Sequence, residues 1–214
     1  MTVETPQIVT GINIFQNYYV DPIPQRQDEI EYCRTKNRGL TLTNTPVNYR
    51  EVTKRMTYNE VFAMTEQYPT HINIIANSDI YFETFDLKNT VNLFTRHPAR
   101  NMICFALTRW DVLPDGQVQY MNRADSQDTW IFYGAVPKIE GADFYVGGVA
   151  GCDNKIAYLL ALNGYKVANP SIDIMTYHVH NSQIRNYIVN GKVKEQLPPP
   201  YLTIPPCTMR DIMP

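Results

Sequence analysis

Short β-rich runs alternate with segments of helical periodicity through the first half of the chain, and that order narrows the fold more than any other feature. Residues 7–15 (QIVTGINIF), 39–47 (GLTLTNTPV) and 71–76 (HINIIA) read as strands. Thr57 and Glu60 form a capping-box pair ahead of YNEVFAMTEQY, whose apolar residues recur at helical spacing. A second helix is expected over 86–96, with Asp86 as its cap. Strands separated by helices pair in parallel through crossovers, so the fold class expected is α/β, with a mainly parallel sheet flanked by helices. With 214 residues, 44% of them hydrophobic, the chain can bury the core of one sizeable domain.

The second half continues with strands at 102–112 (MICFALTRWDV) and 129–136 (TWIFYGAV), separated by an Asp-Gly turn signal in LPDGQV. A helix is expected over 153–164, opened by Asp153 and closed by Gly164, followed by short strands in YKVAN and DIMTYHVH. Between the first two strands, NYYVDPIPQRQDEIEYCRTKN is broken by two prolines and reads as a loop with a short helix. The final stretch, EQLPPPYLTIPPCTMRDIMP, holds six prolines in 20 residues, which excludes a helix or a central strand. We therefore divide the chain into a domain over 1–193 and a proline-rich segment over 194–214. That segment is either an arm lying on the domain or a linker to further domains of the same polypeptide. Its PPPY matches a polyproline-type recognition motif, a weak signal in isolation.

Composition removes several classes of function. A formal net charge of −2 gives no basic footprint for nucleic acid. No apolar run approaches the ~20 residues of a membrane-spanning helix. The opening MTVETPQIV has no basic region followed by an apolar core, so no secretory leader is expected. Cys33, Cys104, Cys152 and Cys207 are scattered without a C-x-x-C pair, which argues against zinc and for free thiols in a reducing cytoplasm.

Three features are spaced to carry chemistry. Asn77-Ser78-Asp79 closes the apolar run 71–76, and open α/β sheets bind ligands beyond the carboxyl ends of their strands. Asp79 would serve equally as a plain turn residue. In GGVAGCDNKIAYLLALNGYKVANPS a glycine-rich loop leads to Asp153 at a helix start, a position that aspartate also fills as a cap. In TYHVH, His178 and His180 alternate along a strand and share one face. An early carboxylate, a mid-chain carboxylate and a late histidine, all at element ends, are placed to converge on a divalent cation and a reacting hydroxyl.

The same motifs, NSD (77–79), CD (152–153), NGYKV (163–167) and TYH (176–178), make residues 7–190 resemble nucleotide-sugar glycosyltransferases of the GT-A type. The whole chain is also similar to the N-terminal domains of chlorella-virus-encoded multidomain glycosyltransferases, whose relatives build glycans on a viral capsid protein. The resemblance implies a GT-A-like, Rossmann-like single domain, a UDP-linked sugar donor with glucose or rhamnose favoured, and a glycan acceptor. It implies Mn²⁺, or Mg²⁺, held by Asp79 and His178, with His180 as the alternative ligand. Asp153 then matches the general base of inverting members, and Asp128 is a rival for that role. Asn77 stands where the first acid of the family's D-x-D lies, and Cys152 replaces its usual glutamate. Asn44 and Thr45 match the region that holds the pyrimidine base. Asn77 and Ser78 are further donor contacts, and Arg55 and Arg109 are candidate cations for the diphosphate. Trp110 and Trp130 are candidate sugar-stacking residues, though large aromatics more often serve the core.

Two other classes remain open on sequence. A sugar-phosphate nucleotidyltransferase uses a related sheet, but usually with a glycine-rich basic loop after the first strand, and FQNYYVDPIPQR contains no glycine. A non-catalytic glycan-binding module would need no nucleotide.

Overall fold

The computed structural model describes residues 9–182, 188–189 and 192–213. Its centre is a six-stranded sheet built from β1 (Gly11–Asn17), β2 (Val47–Val52), β3 (His71–Ala76), β5 (Ile103–Leu107), β8 (Thr129–Tyr133) and β9 (Lys166–Ala168), in the order β2-β1-β3-β8-β5-β9. All neighbours are parallel except β8, which runs antiparallel to both β3 and β5. Period-2 alternation sorts the side chains into two cores. Ile12, Ile14, Ile72, Ile74, Phe105 and Ile131 face α3 (Thr84–Arg96), which contributes Leu87, Leu93 and Phe94. Phe15, Ile75, Cys104, Ala106, Trp130 and Phe132 face α2 (Tyr58–Thr65) and α4 (Cys152–Leu162). Burial on both faces explains why HINIIA and ICFAL read as nearly continuous apolar runs. The fold is thus a single α/β domain around a mainly parallel sheet flanked by helices.

A smaller sheet sits beyond the carboxyl ends of the main strands, ordered β4 (Ile80–Tyr81), β10 (Tyr177–His178), β6 (Trp110–Val112), β7 (Val118–Tyr120). It ties together the exits of β3, β5 and β9. A two-stranded hairpin follows at β11 (Ile188–Val189) and β12 (Lys192–Val193).

The structure corrects several expectations. The segment after β1 carries a full helix, α1 (Pro24–Arg38), with Pro24 in its first turn where a missing N–H costs nothing. Residues 39–47 are not a strand; Asn44 sits in a turn at φ 81°, and β2 begins only at Val47. Leu40 and Leu42, whose alternation suggested a strand, instead pack on the edge of the core from irregular chain. The run 102–112 breaks after Leu107, so β5 joins the main sheet and β6 the small one. Asp86 is not the cap of α3: Glu83 holds that position, and Asp86 lies inside the first turn accepting a hydrogen bond from Met175 N at 2.8 Å. Asp153 is not the cap of α4 either, because Gly151, at φ 76°, precedes the helix.

The capping box of α2 forms as read, with Glu60 N donating to Thr57 Oγ1 and Thr57 N to Glu60 Oε2. Gly164, at φ 88°, ends α4. The proline-rich stretch lies on the domain as an extended arm. Leu197 N bonds Ala150 O, Leu202 N bonds Asn154 O, Ile204 N bonds Ala124 O and Cys207 N bonds Asn169 O. Ile204 and Ile212 are buried. Cys33, Cys104, Cys152 and Cys207 are free thiols. Among the described residues no helix is long and apolar enough to cross a membrane.

Candidate active site

A cleft of about 630 Å³ opens at the carboxyl edge of the main sheet, lined by Asn17, Asn77, Ser78 and Asp79 at the exits of β1 and β3. Because β8 is antiparallel, its entry brings Asp128 to the same edge, and Arg109 arrives just after β5. The loop before α4 supplies Gly147 and Gly148, the first turn of α4 supplies Asp153, and the small sheet supplies His178, with His180 beyond it. Asp79, Asp153, His178 and His180, scattered across a hundred residues of sequence, therefore line one concavity.

The turn at Asn77–Asp79 is fixed from beneath. Gln16 Nε2 donates to Asn77 O at 2.6 Å and Ile80 O at 2.8 Å, and Asn37 Nδ2 donates to Ile80 O at 2.9 Å. Ser78 Oγ donates to Asn17 O at 2.9 Å. These buried amides belong to β1 and α1, so both elements act as the foundation of the turn.

Asp79 is surrounded by cationic partners. Its Oδ2 accepts from Arg26 Nη2 at 2.6 Å, lies 3.2 Å from His178 Nε2, and is 3.8 Å from His180 Nδ1. Burial alone would raise its pKa, but His178 and Arg26 together hold it well below the usual carboxylate range. His178 donates from Nδ1 to Asp111 Oδ1 at 2.7 Å. Burial works against its protonation, yet Asp79 and Asp111 lift its pKa to about 9. Ligand atoms of Asp79, His178 and His180 all lie within 4.8 Å of one another.

Asp153 has a different character. Its Oδ2 accepts from Gln127 N at 3.2 Å and its Oδ1 from Asn154 N at 3.1 Å, and among the described residues no ion pair reaches it. Burial, reinforced by the nearby charge of Asp128, pushes its pKa up to about 6. Asp128 is engaged on both oxygens, by Arg109 Nη1 at 2.7 Å and Asn77 Nδ2 at 2.7 Å.

The remaining expected residues separate clearly. Arg109 lines the cleft but is only 9% exposed and already bridges Asp111 and Asp128. Arg55 is exposed on the cleft rim, donating to Gly147 O at 3.0 Å over the ring of Tyr145. Asn77 points at Asp128 rather than into solvent. Asn44 and Thr45 do not join this site. They precede Val47, which pairs with Ile12 near the start of β1, so they lie at the opposite end of the sheet. Trp130 is a core residue packed edge-on against Tyr58. Trp110 packs on Tyr120 and donates to Ser171 O at 2.9 Å.

Sequence reasoning missed Arg26 and Asp111. Both had a signal. A basic residue in the first turn of a helix opposes the helix dipole unless anions lie nearby, and Asp111 alternates with Arg109 in a strand-like run.

No protein family and no curated protein sequence matches the chain. Among solved structures, it is similar to a glycosyltransferase involved in glycosylation of the major capsid of PBCV-1, at 11% identity and a TM-score of 0.42, covering 81% of this chain and 96% of that one. It is also similar to S. aureus TarS 1–349, at 12% identity and a TM-score of 0.43, covering 79% of this chain and 60% of that one.

Proposed function

We propose that this chain is an inverting, metal-assisted glycosyltransferase that moves a hexosyl group, glucose or rhamnose, from a UDP-linked donor to a hydroxyl of a glycan. One observation carries the reading: two carboxylates of opposite electrostatic character open into one cleft at the carboxyl edge of an α/β sheet. Asp79 is surrounded by cationic groups and stays ionised, while Asp153 is raised to about 6. Environments that push two acids apart in this way assign them different tasks.

The donor set of Asp79, His178 and His180 fits a divalent cation. One hard carboxylate oxygen and two imidazole nitrogens suit Mn²⁺ better than Mg²⁺. Asp111 holds Nδ1 of His178, which orients Nε2 toward Asp79, as an outer carboxylate commonly does for a ligating histidine. Asp79 and His178 would hold the ion, with His180 as the alternative or additional ligand. Bound there, the ion supplies positive charge against a departing nucleoside diphosphate.

The chain's own residues do the rest. Ser78 and Asn77 shape the floor where the donor lies, and Arg55 stands on the rim as an exposed cation for its diphosphate. The acceptor oxygen forms its bond to the anomeric carbon as the bond to the diphosphate oxygen breaks, the electron pair leaving with the nucleotide. Asp153 Oδ takes the acceptor's proton. Attack opposite the leaving group inverts the centre. We place this activity in the cytoplasm, that of a host cell if the gene is viral, on a glycan of the capsid type, with further domains of the polypeptide acting beside it.

The test is hydrolysis and transfer with UDP-glucose and UDP-rhamnose, each with Mn²⁺ and with excess EDTA. Turnover with Mn²⁺ alone is expected. Full turnover in EDTA would remove the metal from the scheme, and absence of any UDP binding would overturn the reading itself. In the same assay His178→Ala should weaken Mn²⁺ binding more than His180→Ala.

A further inference from the structure

A carboxylate offers two oxygens, and both imidazoles converge on only one of those of Asp79. That oxygen, Oδ2, already accepts from Arg26 Nη2 at 2.6 Å, while His178 Nε2 and His180 Nδ1 stand 3.2 and 3.8 Å away. A cation taking this oxygen together with the two imidazole nitrogens would share a single atom with a guanidinium. Two positive groups cannot both make their best contact there.

Arg26 is held by a second anchor. Its Nη1 donates to Glu29 Oε2 at 3.0 Å, one turn along α1, and approaches Val179 O at 3.5 Å. Glu29 is fixed in turn by Ser182, which donates from N at 2.6 Å and from Oγ at 2.8 Å. The guanidinium can therefore give up Asp79 while its other edge stays bonded. It also lines the cleft directly, 6% exposed.

We infer that Arg26 is the resident counter-ion of Asp79, that a divalent cation displaces it, and that the released edge of its guanidinium then accepts the anionic diphosphate of the donor. This rests on reading Asp79, His178 and His180 as cation ligands. The exchange keeps the charge of Asp79 matched in both states and makes diphosphate binding conditional on the ion. Arg26 acts here as a donor-binding residue inside the cleft, distinct from Arg55 on the rim.

The experiment is calorimetric titration of Mn²⁺ alone, then of UDP at saturating Mn²⁺, into the whole chain and into Arg26→Gln. Removing the competing positive charge from Asp79 Oδ2 should tighten Mn²⁺ by about tenfold or more. Removing the anion ligand should weaken UDP by about tenfold. Arg26→Lys guards against a folding failure, since it keeps the charge but cannot bridge Glu29 and Asp79 together; it should tighten Mn²⁺ by a smaller factor. Mn²⁺ affinity that is unchanged or weaker in the folded variants overturns the exchange, as does a parent and variant that both fail to bind Mn²⁺. UDP affinity unchanged in Arg26→Gln overturns the diphosphate role. Sugar transfer by the parent chain is read separately, so failure of the exchange leaves the transferase reading standing.

Discussion

Arg109 Nη1 and Asp128 Oδ2 lie 2.7 Å apart, each side chain almost wholly shielded from water. Asp128 spends its other oxygen on Asn77, whose backbone N also bonds Asp128 O at 3.0 Å. A carboxylate so engaged, with a bond on each oxygen, holds two strands' ends together. Asp128→Ala should therefore lower stability by on the order of 3 kcal/mol, because a buried guanidinium loses one of its two carboxylates. Denaturant unfolding checks this. A variant of parental stability that has lost transfer would make Asp128 the base instead.

Asp153 should show the converse. Gly151, not Asp153, caps α4; an amide oxygen can keep one of the two backbone bonds that Asp153 receives, and the neutral amide relieves the buried charge that pushes the carboxyl's pKa up, which offsets the bond lost. Asp153→Asn should thus keep the melting temperature and UDP affinity while transfer falls by about 10²-fold or more. The parent rate should climb as pH rises through about 6, where the carboxyl gives up its proton, and then level off. The variant's residual rate should lack that step. A pH–rate profile of both proteins decides between base and prop.

Gly147 packs against the Asn77 turn with no room for a side chain. A Cβ there would stand 2.7 Å from Asn77 Oδ1, and the backbone is at φ 67°. Gly147→Ala should cost about 1–2 kcal/mol from the left-handed backbone alone. It should also push Asn77 off Asp128, so UDP affinity falls with stability. Unfolding and UDP titration measured together test the coupling.

Asp86 offers a pH signature away from the cleft. Burial pushes its pKa up to about 6, above that of an unfolded aspartate. The folded state then binds the proton more tightly, so stability is lost as pH rises from about 4 to 6 and the penalty is complete above that window. Asp86→Asn should stabilise the domain by roughly 1–3 kcal/mol at pH 8 and by nothing near pH 3. Melting curves across that range check the sign.

Much of the fold was legible because its central strands are buried on both faces. HINIIA, ICFAL and TWIFY could hardly be anything else, and the capping box marked α2 unambiguously. Helix α1 was legible only as a short helix within a loop, and its full length was not. Its inward stripe is Arg26, Glu29, Ile30, Cys33 and Asn37, so the periodicity is present but largely polar. A helix that faces a charged turn and a hydrogen-bonded loop looks like surface. Edge strand β2, half-exposed throughout, hid in the same way. In the cleft, Asp79, Asp153 and the two histidines stood at readable element ends. Arg26 and Asp111 required knowing that α1 and β6 pack against those ends, a tertiary fact.

The arm over residues 195–204 bonds to Ala150, Asn154 and Ala124, and so straps down the start of α4, which presents Asp153. Chains emerge from the ribosome amino end first, at about 5–20 residues per second. On the proposed reading, the side of the cleft bearing Asp79, His178 and His180 could form as soon as the two histidines have emerged, while the wall bearing Asp153 stays slack until the strap follows. The nascent protein would pass through a stage able to grip a cation and a nucleotide but not to deprotonate an acceptor. Proton acceptance would thus trail cation binding, governed by a stretch of chain that contributes no reacting atom.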